Sequence, residues 1–70
     1  MIEGFATAIE LTFKNGDKRF ISIQKTGGEF YINDKVLSYV ENYDSVDVQL
    51  DDVNFVRCFL YSFQVLKVTL

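Results

Sequence analysis

"VNFVRCFLYSFQVLKVTL", residues 53–70, is the stretch on which the fold turns, with only Asn54, Arg57, Ser62, Gln64, Lys67 and Thr69 interrupting its apolar run. Read as a helix from Asp52, residues 53–63 gather Val56, Phe59, Leu60 and Phe63 on one stripe and set Asn54, Arg57, Cys58 and Tyr61 opposite. Read as a strand, the run has large side chains on both faces. Periodicity alone does not arbitrate over so short an apolar segment. Residue type tips the balance, because Val, Phe and Tyr favour extended backbone. The helix template matches residues 53–63 better, whereas "FQVLKVTL" reads as strand; on residue type, most of the run is read as strand. A strand with two apolar faces predicts that one face meets another chain, whereas a helix would satisfy a single stripe internally. Strand therefore goes with oligomer, and helix with monomer.

Upstream, the pattern is plainer. In "SVDVQL", Val46, Val48 and Leu50 face one way and Ser45, Asp47 and Gln49 the other, an antiparallel strand with one wet side. Phe5, Thr7, Ile9, Leu11 and Phe13 alternate with Ala6, Ala8, Glu10, Thr12 and Lys14, a period of two that marks a half-buried strand. "NGD" at Asn15–Asp17 breaks this strand and "KRFISIQK" resumes it, a hairpin. Taking Asn15, Gly16 and Asp17 as the loop pairs Leu11 with Ile21 and Ile9 with Ile23, which keeps apolar side chains on one face. Gly27-Gly28 reads as a turn before the short strand "EFYI". "DKVLSYVENYD" is open. Asp34 can cap a helix burying Val36, Leu37, Val40 and Tyr43, or "VLSYV" can run back against "FYI".

There is no proline, little glycine, no low-complexity stretch and no repeat, so residues 1–70 are expected to form a single domain. The predicted fold is all-β, a small antiparallel meander or barrel-like sheet. The alternative is α+β, an antiparallel sheet with one covering helix. Ordering a residue costs about 1.5 kcal/mol, so a chain this short needs some device beyond its own core. Cys58 is the only cysteine and there is no histidine, which excludes an internal disulfide and the usual zinc ligand sets. Self-association is the device that remains.

The same absences remove Ser-His, Cys-His and His-metal chemistry, so the chain is read as a non-enzyme without cofactor or metal. Cys58 reads as a small core hydrophobe and suits a reducing cytoplasm. The opening thirteen residues carry Glu3 and Glu10 but no Lys or Arg, unlike a secretory leader. Arg57 and Lys67 argue against a membrane span at residues 53–70, since a charge at the bilayer centre costs about 2.5–3.5 kcal/mol. The expectation is a cytoplasmic protein without membrane contact.

Net charge is −3, and the acids are uneven: from Glu41 to Asp52 there is no positive charge. Glu41, Asp44, Asp47, Asp51 and Asp52 are therefore the expected contact to a protein with a basic surface, reached through electrostatic steering. Val56, Phe59, Tyr61 and Phe63 are the expected self-association residues of a homo-oligomer, a dimer being the simplest. An alternative is a small nucleic-acid-binding barrel using Lys14, Lys18, Arg19 and Phe20, basic residues beside an aromatic. Overall acidity weighs against nucleic acid as the partner. The order of hairpin, ambiguous middle segment, acidic strand and apolar end resembles, only in outline, small phage-encoded inhibitor proteins. That resemblance implies an inhibitor or adaptor. No motif in the chain carries a family.

Overall fold

A computed structural model describes all residues from Met1 to Leu70. The chain is all-β, with seven strands: β1 (Ile2–Phe13), β2 (Lys18–Ser22), β3 (Glu29–Asn33), β4 (Val36–Glu41), β5 (Asp44–Gln49), β6 (Val53–Leu60) and β7 (Val65–Thr69). The only helical element is a single 3₁₀ turn, Gln24–Thr26. No helix is long and apolar enough to cross a membrane. All pairings are antiparallel, in the order β5-β4-β3-β1-β6-β7, with β2 also paired to β1.

β1 organises the molecule because it is long enough to serve three neighbours. Ile2–Phe5 pair with β3, Ala8–Thr12 with β2, and Ala6–Phe13 with β6. Its register with β6 slips between Ala6 and Ala8 and again between Thr12 and Phe13. Such slips bend a strand and increase its local twist. The start of β1 with β3, β4 and β5 forms a first layer. The rest of β1 with β2, β6 and β7 forms a second. Their inner faces share one core: Phe30, Ile32, Leu37 and Tyr39 from the first, Ile9, Leu11, Ile21, Val56 and Cys58 from the second, with Ile23, Leu50 and Val53 closing it.

Residues 53–70 are neither one strand nor a helix followed by a strand. They form a hairpin, β6 and β7 joined by Tyr61-Ser62-Phe63, closed by Leu60 N–H to Gln64 O (2.9 Å) and Phe63 N–H to Leu60 O (3.1 Å). The α+β alternative and the helix over residues 53–63 are thereby set aside. Part of the second apolar face of β6 is covered within the chain. Val56 and Cys58 are buried on the inner face. On the outer face, Arg57 lies 5.3 Å and Lys67 4.3 Å from the Phe55 ring centroid, and Phe20 lies 6.1 Å from Phe59. Both cationic heads sit over the Phe55 ring, while Phe20 on the same face stays 64% exposed.

"VLSYV" runs back against "FYI", as the strand reading expects, with Ile32 opposite Leu37 and Phe30 opposite Tyr39. Asp34 therefore caps no helix; it takes a turn position at φ 54°. In the first hairpin the loop has three residues, but they are Lys14-Asn15-Gly16. Phe13 N–H bonds Asp17 O (2.8 Å) and Gly16 N–H bonds Phe13 O (3.0 Å). Ile9 pairs with Ile21, and Leu11 with Arg19, a shift of two from the expected register. The loop moves back by one residue because its third position is left-handed, and glycine, at φ 94°, fills that position without strain.

One buried polar atom breaks the pattern. Thr12 Oγ1 has no hydrogen-bond partner within the chain. An unsatisfied buried hydroxyl costs about 1–3 kcal/mol, and valine has nearly the same shape. Thr12→Val is therefore expected to raise unfolding free energy by about 1 kcal/mol, read as a higher urea midpoint at unchanged slope.

Candidate functional site

Strand alternation gives each layer an outward face, and the two faces differ in charge. On the first layer, Glu3, Tyr31, Ser38 and Asp47 form one cross-strand row, beside Phe5, Glu29, Val40 and Ser45. Glu3, Glu29 and Asp47 supply carboxylates to this face, and no Lys or Arg stands in either row. The Tyr31 hydroxyl is held above its ordinary pKa, chiefly by the charge of Glu29, with the charge of Glu3 adding to it. On the second layer, Phe20, Glu10, Arg57 and Lys67 form one row, flanked by Lys18, Thr12, Phe55 and Thr69. Glu10 and Arg57 stand 3.6 Å apart.

The five carboxylates expected to act together are split into three places. Glu41 and Asp44 close the β4–β5 hairpin as a cross-strand pair. Asp47 faces outward mid-strand, where its Oδ1 accepts a hydrogen bond from Ser38 Oγ (2.7 Å). Asp51 and Asp52 form the β5–β6 turn at the far end of β5, where the Asp52 carbonyl accepts from Lys14 N–H (2.8 Å). Of the expected self-association residues, Val56 is fully buried in the chain's own core, so it is a packing residue. Phe59 is half-buried, Tyr61 is partly exposed and Phe63 is fully exposed. Of the alternative nucleic-acid set, Lys18 and Phe20 share the outer face of the second layer. Arg19 alternates to the opposite face and Lys14 belongs to the loop.

Sequence reasoning missed the two hairpin tips. In the β4–β5 turn, Asn42 (φ 51°) and Tyr43 (φ 71°) both have positive φ, the pattern of a type I′ turn whose preferred sequence is Asn-Gly. Tyr43 occupies the glycine position and its side chain is fully exposed. In the β6–β7 loop, Phe63 sits at φ 61°, the same third-residue position that Gly16 fills in the first hairpin, and it too is fully exposed. Left-handed backbone costs a non-glycine residue about 1–2 kcal/mol, and neither side chain recovers that by packing. Both tips flank the Gln24–Thr26 turn. Tyr43 and Asn42 line a cleft with Lys25 and Thr26, while Phe63 and Tyr61 line another with Gln24. The signal for Tyr43 was present in "ENYD": once two strands flank it, Asn42-Tyr43 falls where Asn-Gly belongs.

Burial pushes the Cys58 thiol up to about 11, so it is protonated at neutral pH and a poor nucleophile. No three His, Cys, Asp or Glu side chains are grouped to hold a metal ion. A cleft of about 330 Å³ between β2 and the end of β4 brings Arg19 and Lys25 near Glu41. No family model, no curated protein and no solved structure matches this chain.

Proposed function

We propose that the chain is a non-enzymatic protein–protein interaction module, of the inhibitor or adaptor kind, that docks through the tip of the β4–β5 hairpin. Tyr43 is the anchor. Glu41 and Asp44, paired at the base of the turn, make the acidic rim. The partner is a protein offering an apolar pocket bordered by Lys or Arg. The observation that carries this reading is Tyr43 itself, a fully exposed aromatic held at φ 71° where glycine is the unstrained choice. Backbone strain persists where the surrounding structure over-determines it, and it clusters at ligand clamps and binding sites. Buried aromatic anchors with polar rims dominate interface energetics.

Tyr43→Gly separates the two consequences. It is expected to raise unfolding free energy by about 1 kcal/mol, or about 4–8 °C in melting temperature for a domain of this size. The same variant is expected to lose the partner that the wild-type protein captures. Charge reversal at Glu41 and Asp44 is expected to slow association, most strongly at low salt. A Tyr43→Gly protein that captures the same partner with equal affinity would refute the reading. An unchanged melting temperature would remove the strain on which it rests.

A further inference from the structure

Three strands, β2, β5 and β7, have a neighbour on one side only, and their side chains treat the open edge differently. β2 carries Lys18 and Arg19 and faces the end of β4 across the cleft. β5 carries Asp44 and Asp47. β7, "VLKVT", carries one charge, Lys67, and its register with β6 runs without a bulge. Exposed edges are normally blunted by charges, proline or bulges because their open N–H and C=O groups accept another strand. β7 has the least of this protection. Val65 is 55% exposed, Leu66 36% and Leu70 36%. Its one charge leans away from the free edge, since Lys67 Nζ lies 4.3 Å from the Phe55 ring centroid on β6.

The backbone states which groups are available. Leu60 N–H bonds Gln64 O (2.9 Å) and Leu70 N–H bonds Asn54 O (3.2 Å), so the even-numbered residues of this ladder bond β6. Antiparallel strands alternate in this respect, which turns the N–H and C=O of Val65, Lys67 and Thr69 to the open side.

We propose that β7 pairs antiparallel with β7 of a second copy, across a two-fold axis at Leu66, so that the second layers of two molecules become one continuous sheet. An edge meeting its own copy is self-complementary under two-fold symmetry and closes as a dimer. β5 cannot do the same, because its copy would bring Asp44 and Asp47 against each other's field. The register follows from Lys67. An axis at Lys67 would set two ammonium groups directly opposite, which is destabilising. An axis at Leu66 instead sets Leu66 against Leu66 on the inner face and Lys67 against Val65 on the outer. Of the two positions beside Lys67, Leu66 is more exposed than the half-buried Val68, so it has more surface to lose. Val65 and Lys67 then exchange backbone hydrogen bonds with Lys67 and Val65 of the second copy. This dimer is independent of the Tyr43 reading and uses a different strand.

The test is native mass by light scattering over a concentration series, on the wild-type chain and on a charge-swapped pair at Val65. The exposed Val65 tolerates both substitutions in the monomer. Val65→Lys places an ammonium opposite Lys67 of the second copy, twice per dimer. Val65→Glu places a carboxylate there. The wild-type chain is expected to be a dimer at low micromolar concentration. The two variants should differ by about tenfold in dissociation constant at low salt, Val65→Glu the tighter, and converge at high salt. Leu66→Cys is expected to give a reducible covalent dimer on mild oxidation and Val68→Cys none, with buried Cys58 silent in both. A monomer at every concentration would overturn the proposal. Equal weakening by both Val65 variants would do so too, as would cross-linking at Val68 in place of Leu66. Species growing beyond the dimer would mean head-to-tail pairing and would equally sink it.

Discussion

Gly28→Ala is expected to lower unfolding free energy by about 3 kcal/mol or more, from two terms that add at one site. The backbone there has φ 78°, and leaving glycine for an L-residue in such a conformation costs about 1–2 kcal/mol. A methyl group would also run into the Ala6 carbonyl oxygen and come within 2.7 Å of the Tyr61 ring. Overpacking of that kind typically costs about 1–3 kcal/mol. The Tyr61 ring can swing aside, but the Ala6 carbonyl is backbone and does not move cheaply. Ala6 belongs to the bent part of β1 and donates its N–H to Gly28 O at 2.8 Å, while Gly28 N–H bonds Ile23 O at 3.0 Å. Gly28 is thus where the 3₁₀ turn, the start of β3, the bend of β1 and the β6–β7 tip meet. Gly16→Ala supplies the comparison. Its φ is 94° but nothing lies within 4 Å of the added methyl, so only the backbone term applies, about 1 kcal/mol. Urea unfolding of both variants measures the difference directly. Similar midpoints would mean that the close approach at Gly28 carries no weight. A domain of this length has about 4–10 kcal/mol in total, so Gly28→Ala should bring it near the folding threshold.

The parts of this architecture that could be read from sequence are those where burial and alternation agree locally. β1 and β5 are examples, with Ile9 and Leu11 turned in and Asp47 turned out. Register was less legible. Moving the first hairpin by two residues keeps every side chain on its face, so a face argument is blind to the change. The left-handed demand at Gly16 is what decides it. β4 was ambiguous because Val36, Leu37 and Val40 suit a helix stripe as well as a strand. What resolves it is pairing with β3, a non-local fact. The last hairpin was hidden for a chemical reason: its turn, Tyr61-Ser62-Phe63, contains no glycine, asparagine or aspartate to announce a left-handed residue.

The candidate site follows the same logic. Charge along the chain made residues 41–52 look like one acidic surface, but a strand sends neighbours to opposite faces and spans its own length. Glu41 and Asp44 therefore end up at one tip, and Asp51 and Asp52 at the other end of β5. The negative face that does exist joins Glu3, Glu29 and Asp47 from three strands. Likewise Lys67 reaches Phe55 only because β7 returns along β6. A linear reading that sees one long apolar run has no reason to place that cation over that ring. Tyr43 and Phe63 stand out for the opposite reason, since they break local rules and nothing in the fold compensates. Such conflicts between local preference and structure are where function is to be sought.

Phe30→Ala should be the most damaging single truncation in the core, at about 3–5 kcal/mol. Of the seven phenylalanines, Phe30 alone is buried; Phe5, Phe20 and Phe63 project into solvent. The ring packs where β1 is weakest. Gly4 is its cross-strand partner, and a methyl built on Gly4 would touch the ring at 3.5 Å. A glycine in a strand leaves a gap in side-chain packing, and an aromatic laid over that gap fills it. Removing the ring opens a cavity and also strips the cover from Ile2–Phe5, the segment that ties β1 to the first layer. Two measurements follow. The melting temperature should fall by about 12 °C or more. Amide exchange at Ile2–Phe5 should rise before exchange at Ala8–Thr12, which β2 and β6 hold from both sides. The pairing is also open to a double-mutant cycle. Gly4→Val should be destabilising in the wild-type chain, where it meets the ring, and less so in the Phe30→Ala chain, where it occupies the vacated space. Strictly additive effects would show that Gly4 and Phe30 do not act as a unit, and the stability of the first layer would then have to come from Ile32, Leu37 and Tyr39 alone.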